Sequence, residues 1–293
     1  MKKIFFIAIL SFTILFTGNL QAQKLYLEIG GGYGWALPET VLGADNYQDF
    51  DNPDNSYEKN MLGTLGQGAN ITLTPGYMFN KYVGVELGFN YFVGAETVMD
   101  NRNTNDPEKY GYDKTVANSN QFRALPSLVF NTGGEKVYGY AKAGLVLPLA
   151  GYTTGIKDQK KITHLLPAGL IETKIDVETK TSGSFTIGYR GALGLGYKVF
   201  DFMDINLEVF YTSLNVKAKR RDFTSFKYNG VDIVGDPSTA KYVLEIDYVD
   251  ELTSESNNEL TNPNYDVNKP KEELATKTNF SQLGVQLSIK FNF

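Results

Sequence analysis

Tyr82-Val83-Gly84-Val85-Glu86-Leu87-Gly88-Phe89-Asn90-Tyr91-Phe92-Val93-Gly94 is the stretch that decides the fold. Successive side chains of a strand point to opposite faces, so Val83, Val85, Leu87, Phe89, Tyr91 and Val93 share one face while Gly84, Glu86, Gly88 and Asn90 share the other. A segment with one apolar and one polar face reads as a β-strand. At about ten residues it is also long enough to cross a bilayer at a tilt.

Seven other segments repeat the pattern. Lys24 to Ala36 sets Leu25, Leu27, Ile29, Tyr33 and Trp35 against Tyr26, Glu28 and three glycines, and Gln67 to Asn80 sets Ile71, Leu73, Tyr77 and Phe79 against Asn70, Thr72, Thr74 and Gly76. Gln121 to Asn131 is the least regular, with Phe122, Ala124, Leu128 and Phe130 against Arg123 and Ser127. Val137 to Leu149, Ser184 to Val199, Ile205 to Ser213 and Gln282 to Phe293 complete the set. Pro75 and Pro126 fall inside two of these strands, where each should mark a bulge or a lost ladder bond.

The connections alternate in length. They are short at Asn80-Lys81, at Thr132 to Lys136 and at Phe200 to Asp204, and long at 37–66, 95–119, 150–183 and 214–280. Short turns on one side and long loops on the other are the pattern of a transmembrane β-barrel. The expected fold is therefore all-β: an eight-stranded antiparallel transmembrane β-barrel with long extracellular loops and both chain ends in the periplasm. In the fourth loop, Phe226 to Val234 is expected to pair with the alternating run Tyr242 to Tyr248 as an extracellular hairpin. A ten-stranded barrel is the rival; it would leave the polar stretch Asp250 to Lys277 as a very long periplasmic turn.

Composition sets the remaining bounds. Lys2 and Lys3 precede an apolar stretch from Ile4 to Phe16, which reads as a signal peptide over residues 1–22, with the barrel domain over 23–293. An apolar helix of roughly 13 residues would cover about 20 Å, short of the roughly 30 Å hydrocarbon core, so no retained anchor is expected. Without residues 1–22 the chain carries 26 basic and 33 acidic residues, net −7, which does not suit nucleic acid. The chain has no cysteine, hence no disulfide and no thiolate metal site. A mean hydropathy of −0.25 would ordinarily indicate a soluble protein. Alternating strands average to neutral hydropathy, so that inference does not hold for a barrel.

Aromatics on the outward phase fall at two levels: Tyr77, Phe79, Phe130, Tyr197, Phe291 and Phe293 at the short-turn end, Trp35, Phe89, Tyr91, Phe122, Tyr189 and Tyr211 at the other. Aromatic rings prefer the membrane interfaces, and a soluble β-sandwich would not sort them this way. The inward phase carries seven charges, Glu28, Glu86, Arg123, Lys142, Arg190, Glu208 and Lys290, and the outward phase carries none. A charge facing lipid at mid-depth costs roughly 2 to 4 kcal/mol, one facing a polar lumen need not. Three acids and four bases suit a paired network that fills a closed barrel; read otherwise, they line an ion path. Glu28 and Lys290 are expected at similar depth on the closing strands, as a pair.

The alternating strands, the segment Tyr138-Gly139-Tyr140-Ala141-Lys142-Ala143-Gly144-Leu145 and the ending Ser288-Ile289-Lys290-Phe291-Asn292-Phe293 resemble the small outer-membrane barrel superfamily that includes OmpA- and OmpX-like barrels. The resemblance implies a bacterial outer-membrane protein whose terminal Phe291 and Phe293 form the signal read by the outer-membrane assembly machinery. The chain ends on its last strand, so the peptidoglycan-binding domain of OmpA is not expected. Such membership names an architecture, not an activity.

Barrel enzymes typically use histidine with serine or aspartate, and the single histidine, His164, lacks the His-x-Ser spacing of barrel deacylases because position 166 is leucine. No catalytic residue and no cofactor are expected. Asp45, Asp49, Asp51 and Asp54 crowd the first loop, but without the glycine and terminal glutamate of an EF-hand they read as a solvated acidic loop, not a Ca²⁺ site. The functional expectation is a non-enzymatic structural or surface-interaction protein with a filled lumen, contacting lipid, the assembly machinery and an extracellular ligand through its loops. A narrow channel for small solutes and a loop-based lipid-modifying enzyme are the alternatives.

Overall fold

The computed structural model describes residues 24–38, 40–105, 111–165 and 169–293; the expected signal peptide lies outside them. Eight strands build the wall: β1 (Lys24–Ala36), β2 (Gly68–Met78), β3 (Val83–Gly94), β4 (Gly111–Asn131), β5 (Val137–Leu165), β6 (Gly188–Phe200), β7 (Met203–Ser213) and β8 (Gln282–Asn292). Each pairs antiparallel with its neighbours in this order, and β8 pairs back onto β1. The wall thus closes with eight strands, not ten.

The register fixes the dimensions. From Lys24 the paired residues run through Met78, Gly84, Val129, Lys142, Ala192, Phe210 and Gly284 and return to β1 at Gly34, ten residues further on. Eight strands with that stagger tilt by roughly 35–45° and enclose an interior just wide enough for side chains to fill. Burial is accordingly inverted with respect to a soluble protein. Leu193 and Leu195 on the outer face are 69% and 62% exposed, whereas Arg123 inside is 1% exposed. A continuous apolar belt of this kind is satisfied by lipid and would drive association in water.

Inward glycines make room for inward tyrosines. A Cβ on Gly194 would lie 2.2 Å from the Tyr140 ring, and one on Gly196 would lie 2.2 Å from that of Tyr138. Tyrosine rings from β5 therefore lie flat over glycines of β6. The two prolines cost ladder bonds without shifting the register. Pairing of β2 with β3 lapses at Thr74 and Pro75, and that of β4 with β5 lapses at Leu125 and Pro126.

At the outer end the chain is far more ordered than loops. β4 and β5 are 21 and 29 residues long, and at roughly 3.3 Å per residue they run well beyond a bilayer. The strands Thr40–Gln48, Tyr57–Gly63, Thr97–Thr104, Gly169–Gly183 and Asn215–Tyr228 extend the sheet with them. The hairpin expected between 226–234 and 242–248 does not form. Asn229 and Gly230, both with positive φ (49° and 84°), turn the chain so that Val231–Asp232 folds back on Lys227 and Tyr228. Lys241–Leu244 forms one helical turn instead, and Glu245–Val249 pairs with Arg220–Asp222.

Candidate functional site in the barrel lumen

All seven charges expected inside lie there, and an eighth, Asp204, joins them. Lys142 on β5 stands at the centre. Its Nζ lies 3.4 Å from Glu28, 3.2 Å from Glu86 and 3.2 Å from Glu208, so one ammonium serves carboxylates from β1, β3 and β7. Arg190 on β6 takes the other oxygen of Glu208 at 2.8 Å. Hydroxyls complete the carboxylate shells: Ser288 Oγ donates to Glu28 at 2.5 Å and Tyr26 Oη to Glu86 at 3.1 Å. Charges withdrawn this far from water persist only when paired and hydrogen-bonded.

Towards the short-turn end a second group forms. Lys290 lies 3.4 Å from Asp204, donates to Tyr138 Oη at 3.3 Å and sits over the Tyr26 ring, while Tyr138 Oη donates to Asp204 at 2.7 Å. The expected Glu28–Lys290 ion pair is therefore not made. Their Cα atoms are direct partners across β1 and β8. Their side chains part inside the lumen, each toward a nearer counter-charge. Asp204 closes the expected Phe200 to Asp204 turn, yet it continues the inward phase of Asn206 and Glu208 by one step.

Arg123 has no carboxylate partner among the described residues. Its Nε donates to Gln121 at 2.9 Å, and its guanidinium lies 4.3 Å from the Phe92 ring centre. Arg190 stacks likewise on Phe210 at 4.0 Å. Such cation–π contacts stabilise a desolvated guanidinium by about 2 kcal/mol. Phe92 and Phe210 are fully buried aromatics on the inward phase, where polar residues and glycine are otherwise the rule.

Above this level Leu65, Leu125, Val146, Leu214 and Phe280 pack into an apolar plug across the outer mouth. Below it, the free space among Tyr26, Met78, Tyr138, Tyr140 and Lys142 is about 10 Å³, room for one water at most.

The other residues singled out in the sequence lie elsewhere. Phe291 sits on β8 opposite Leu27, and the Phe293 backbone N–H donates to Leu25 with its ring exposed. The His164 side chain lies outside the described residues. In the first loop, Asp45 pairs with Lys59 at 2.9 Å and accepts from Asn101, and Asp49 accepts from the backbone N–H groups of Asp51 and Asn52. Among the described residues no group of three or more acidic or histidine side chains is placed to hold a metal ion.

Residues 7–234 match the family model of the outer membrane protein beta-barrel domain. Among solved structures, Neisserial surface protein A (NspA) is similar over 92% of this chain and 97% of that one, at 10% identity and a TM-score of 0.37. No curated protein matches the chain.

Proposed function

The chain belongs to the outer membrane protein β-barrel family and resides in the bacterial outer membrane, and from that premise we propose a non-enzymatic surface-interaction protein whose barrel is a closed support. The observation that carries this reading is the lumen: eight charges engaged with one another or with aromatic faces, about 10 Å³ of free space among the lower tyrosines and Lys142, and an apolar plug above. Ions have no continuous wet path through it. The ordered outer sheet is the surface offered to partners.

Planar-bilayer recording tests the proposal. The wild-type protein is expected to show no stable open conductance, while Arg190→Ser or Arg123→Ser leaves the barrel folded and admits a small leak. A steady wild-type conductance whose ion selectivity changes when Arg123 or Lys142 is neutralised would establish the narrow channel instead. Phe293 we assign to assembly. Deleting it is expected to reduce insertion in cells and leave detergent refolding of purified chain intact; equal insertion with and without it overturns the assignment.

A further inference from the structure

The wall has a gap. Val146 of β5 pairs with Gly188 of β6, and seven residues on Thr153 pairs with Thr181 in the same register, yet none of the six positions between them pairs across this edge, although β4 still holds the strand on its other side. At about 3.3 Å per residue the unzipped stretch is roughly 20 Å long. Its causes are local. Pro148 has no N–H to give. A bulge at Leu149, opposite Phe122 and Arg123, re-aims the strand. On the other edge, Ser184 and Thr186 hydrogen-bond away from β5, to Lys217 and Asn215.

Behind the gap lies a cavity of about 660 Å³, within the roughly 300–1,000 Å³ of pockets that enclose small ligands. Both unzipped edges line it. Its floor is the plug, through Leu65 and Phe280, and beyond the gap its wall carries Val177, Phe223 and Phe226. The gap begins directly above Tyr189, which is 65% exposed in the outer aromatic level. The ten residues from Val137 to Val146 cover about the 25 Å height of a barrel's apolar band, so the opening faces the outer leaflet's interface. Leu149 and Phe185 at its edges are exposed, although nothing in water would favour that.

Charge is placed where the gap closes, since Arg221 pairs with Thr181 and Thr181 with Thr153. Arg221 lines the cavity, its Nε donates to Thr181 at 3.2 Å and its guanidinium lies 5.6 Å from the Tyr248 ring; among the described residues no carboxylate is within ion-pair distance of it. The other basic residue of the lining, Lys157, is already taken by Asp113 at 2.8 Å. Outside, Lys180 stands over Tyr152 at the rim, where an ammonium can meet anionic lipid head groups.

We infer that this cavity binds a single-chain amphiphile with an anionic head group, admitted sideways from the outer leaflet between β5 and β6, its head group on Arg221 where the gap closes and its chain against Val177, Phe223 and Phe226. The inference is independent of whether the lumen conducts. Guanidinium recognises carboxylate and phosphate alike through paired N–H donors, so either head group satisfies the site.

The test is a titration of the full-length mature protein, held in amphipol, with a dansyl-labelled fatty acid, displaced by palmitate, by a monoacylglycerol phosphate or by the matching long-chain alcohol. Saturable binding is expected, with both acids displacing at least about tenfold better than the alcohol; whichever acid displaces better identifies the head group. Val177→Trp, which fills the cavity, should reduce binding tenfold or more, while Ile156→Trp on the outer face should not. Arg221→Gln should erase the preference for acid over alcohol. Folding of each variant is checked by its altered gel mobility before boiling. Non-saturable partitioning, or equal binding by the wild type and Val177→Trp, overturns the site. Retained acid preference in Arg221→Gln overturns the head-group assignment.

Discussion

Lys142 and Lys157 lie on the same strand and both form short ion pairs, but in different surroundings. Lys142, inside the barrel and 9% exposed, meets three carboxylates at 3.2 to 3.4 Å; Lys157, above the membrane and 39% exposed, meets Asp113 at 2.8 Å. The outer pair is the shorter one and the weaker one. In water each ion has solvent as an alternative partner, and an exposed pair contributes about 0–1 kcal/mol. In the lumen the alternative is an unpaired charge. The same chemistry is therefore optional above the membrane and obligatory within it.

The largest effect expected from this contrast is that of Lys142→Met. It strands Glu28, Glu86 and Glu208 with only Arg190 to share, and removal of one partner from a buried network costs about 3–5 kcal/mol. Lys157→Met should cost about 1 kcal/mol or less. Urea midpoints for refolding into lipid vesicles, read by gel mobility without boiling, compare the two. Equal losses would show that the lumen is wetter than its packing indicates.

Next in size is a change of shape. Gly196→Val places methyl groups where the Tyr138 ring lies, and overpacking of this kind costs about 1–3 kcal/mol. Tyr138 also holds Asp204 and Lys290, so displacing its ring loosens the lower charge group as well. Combining Gly196→Val with Tyr138→Ala should recover part of the loss if the collision is its source. A purely additive double variant would place the cost elsewhere.

The contrast also explains what was legible in the sequence. Through the membrane each strand has one face in lipid and one in the lumen, so hydropathy alternates, and Lys24–Ala36 could be bounded to the residue. Above the membrane both faces are wet. The run Ile156-Lys157-Asp158-Gln159-Lys160-Lys161 has no apolar phase and read as loop, yet it is paired strand on both sides. The lumen residues were legible for a similar reason, and their partners were not. Register gives neighbours along the wall, as for Glu28 and Lys290. Long side chains cross the interior, so Glu28 finds Lys142 of β5. Pro75 and Pro126 were recognised as ladder breaks, whereas Pro148, at the edge of the expected strand, marks where the wall opens.

The smallest effect belongs to the outer turns and concerns pH. Asp49 accepts backbone N–H groups from Asn52 and Asp51 and side-chain amides from Asn105 and Asn55, and these donors hold its carboxyl below the usual aspartate value. A carboxyl depressed in the folded state stabilises it fully above the unfolded value, near 4, and that contribution disappears as pH falls through the lower folded value. Asp45, held down by Lys59 and Asn101, follows the same sign. Acidification from pH 6 to pH 3 should therefore lower hydrogen-exchange protection at Asp51 and Asn52, measured against unstructured peptides of the same sequence. Barrel-strand amides should hold their protection over that range, because their pairing does not depend on a solvent-facing carboxylate. Asp49→Asn should abolish the pH response at the turn and leave its neutral-pH protection lowered throughout. Loss of protection at the turn and in the barrel together would mean that the outer sheet and the wall unfold as one unit, and the two environments would then not be separable by pH.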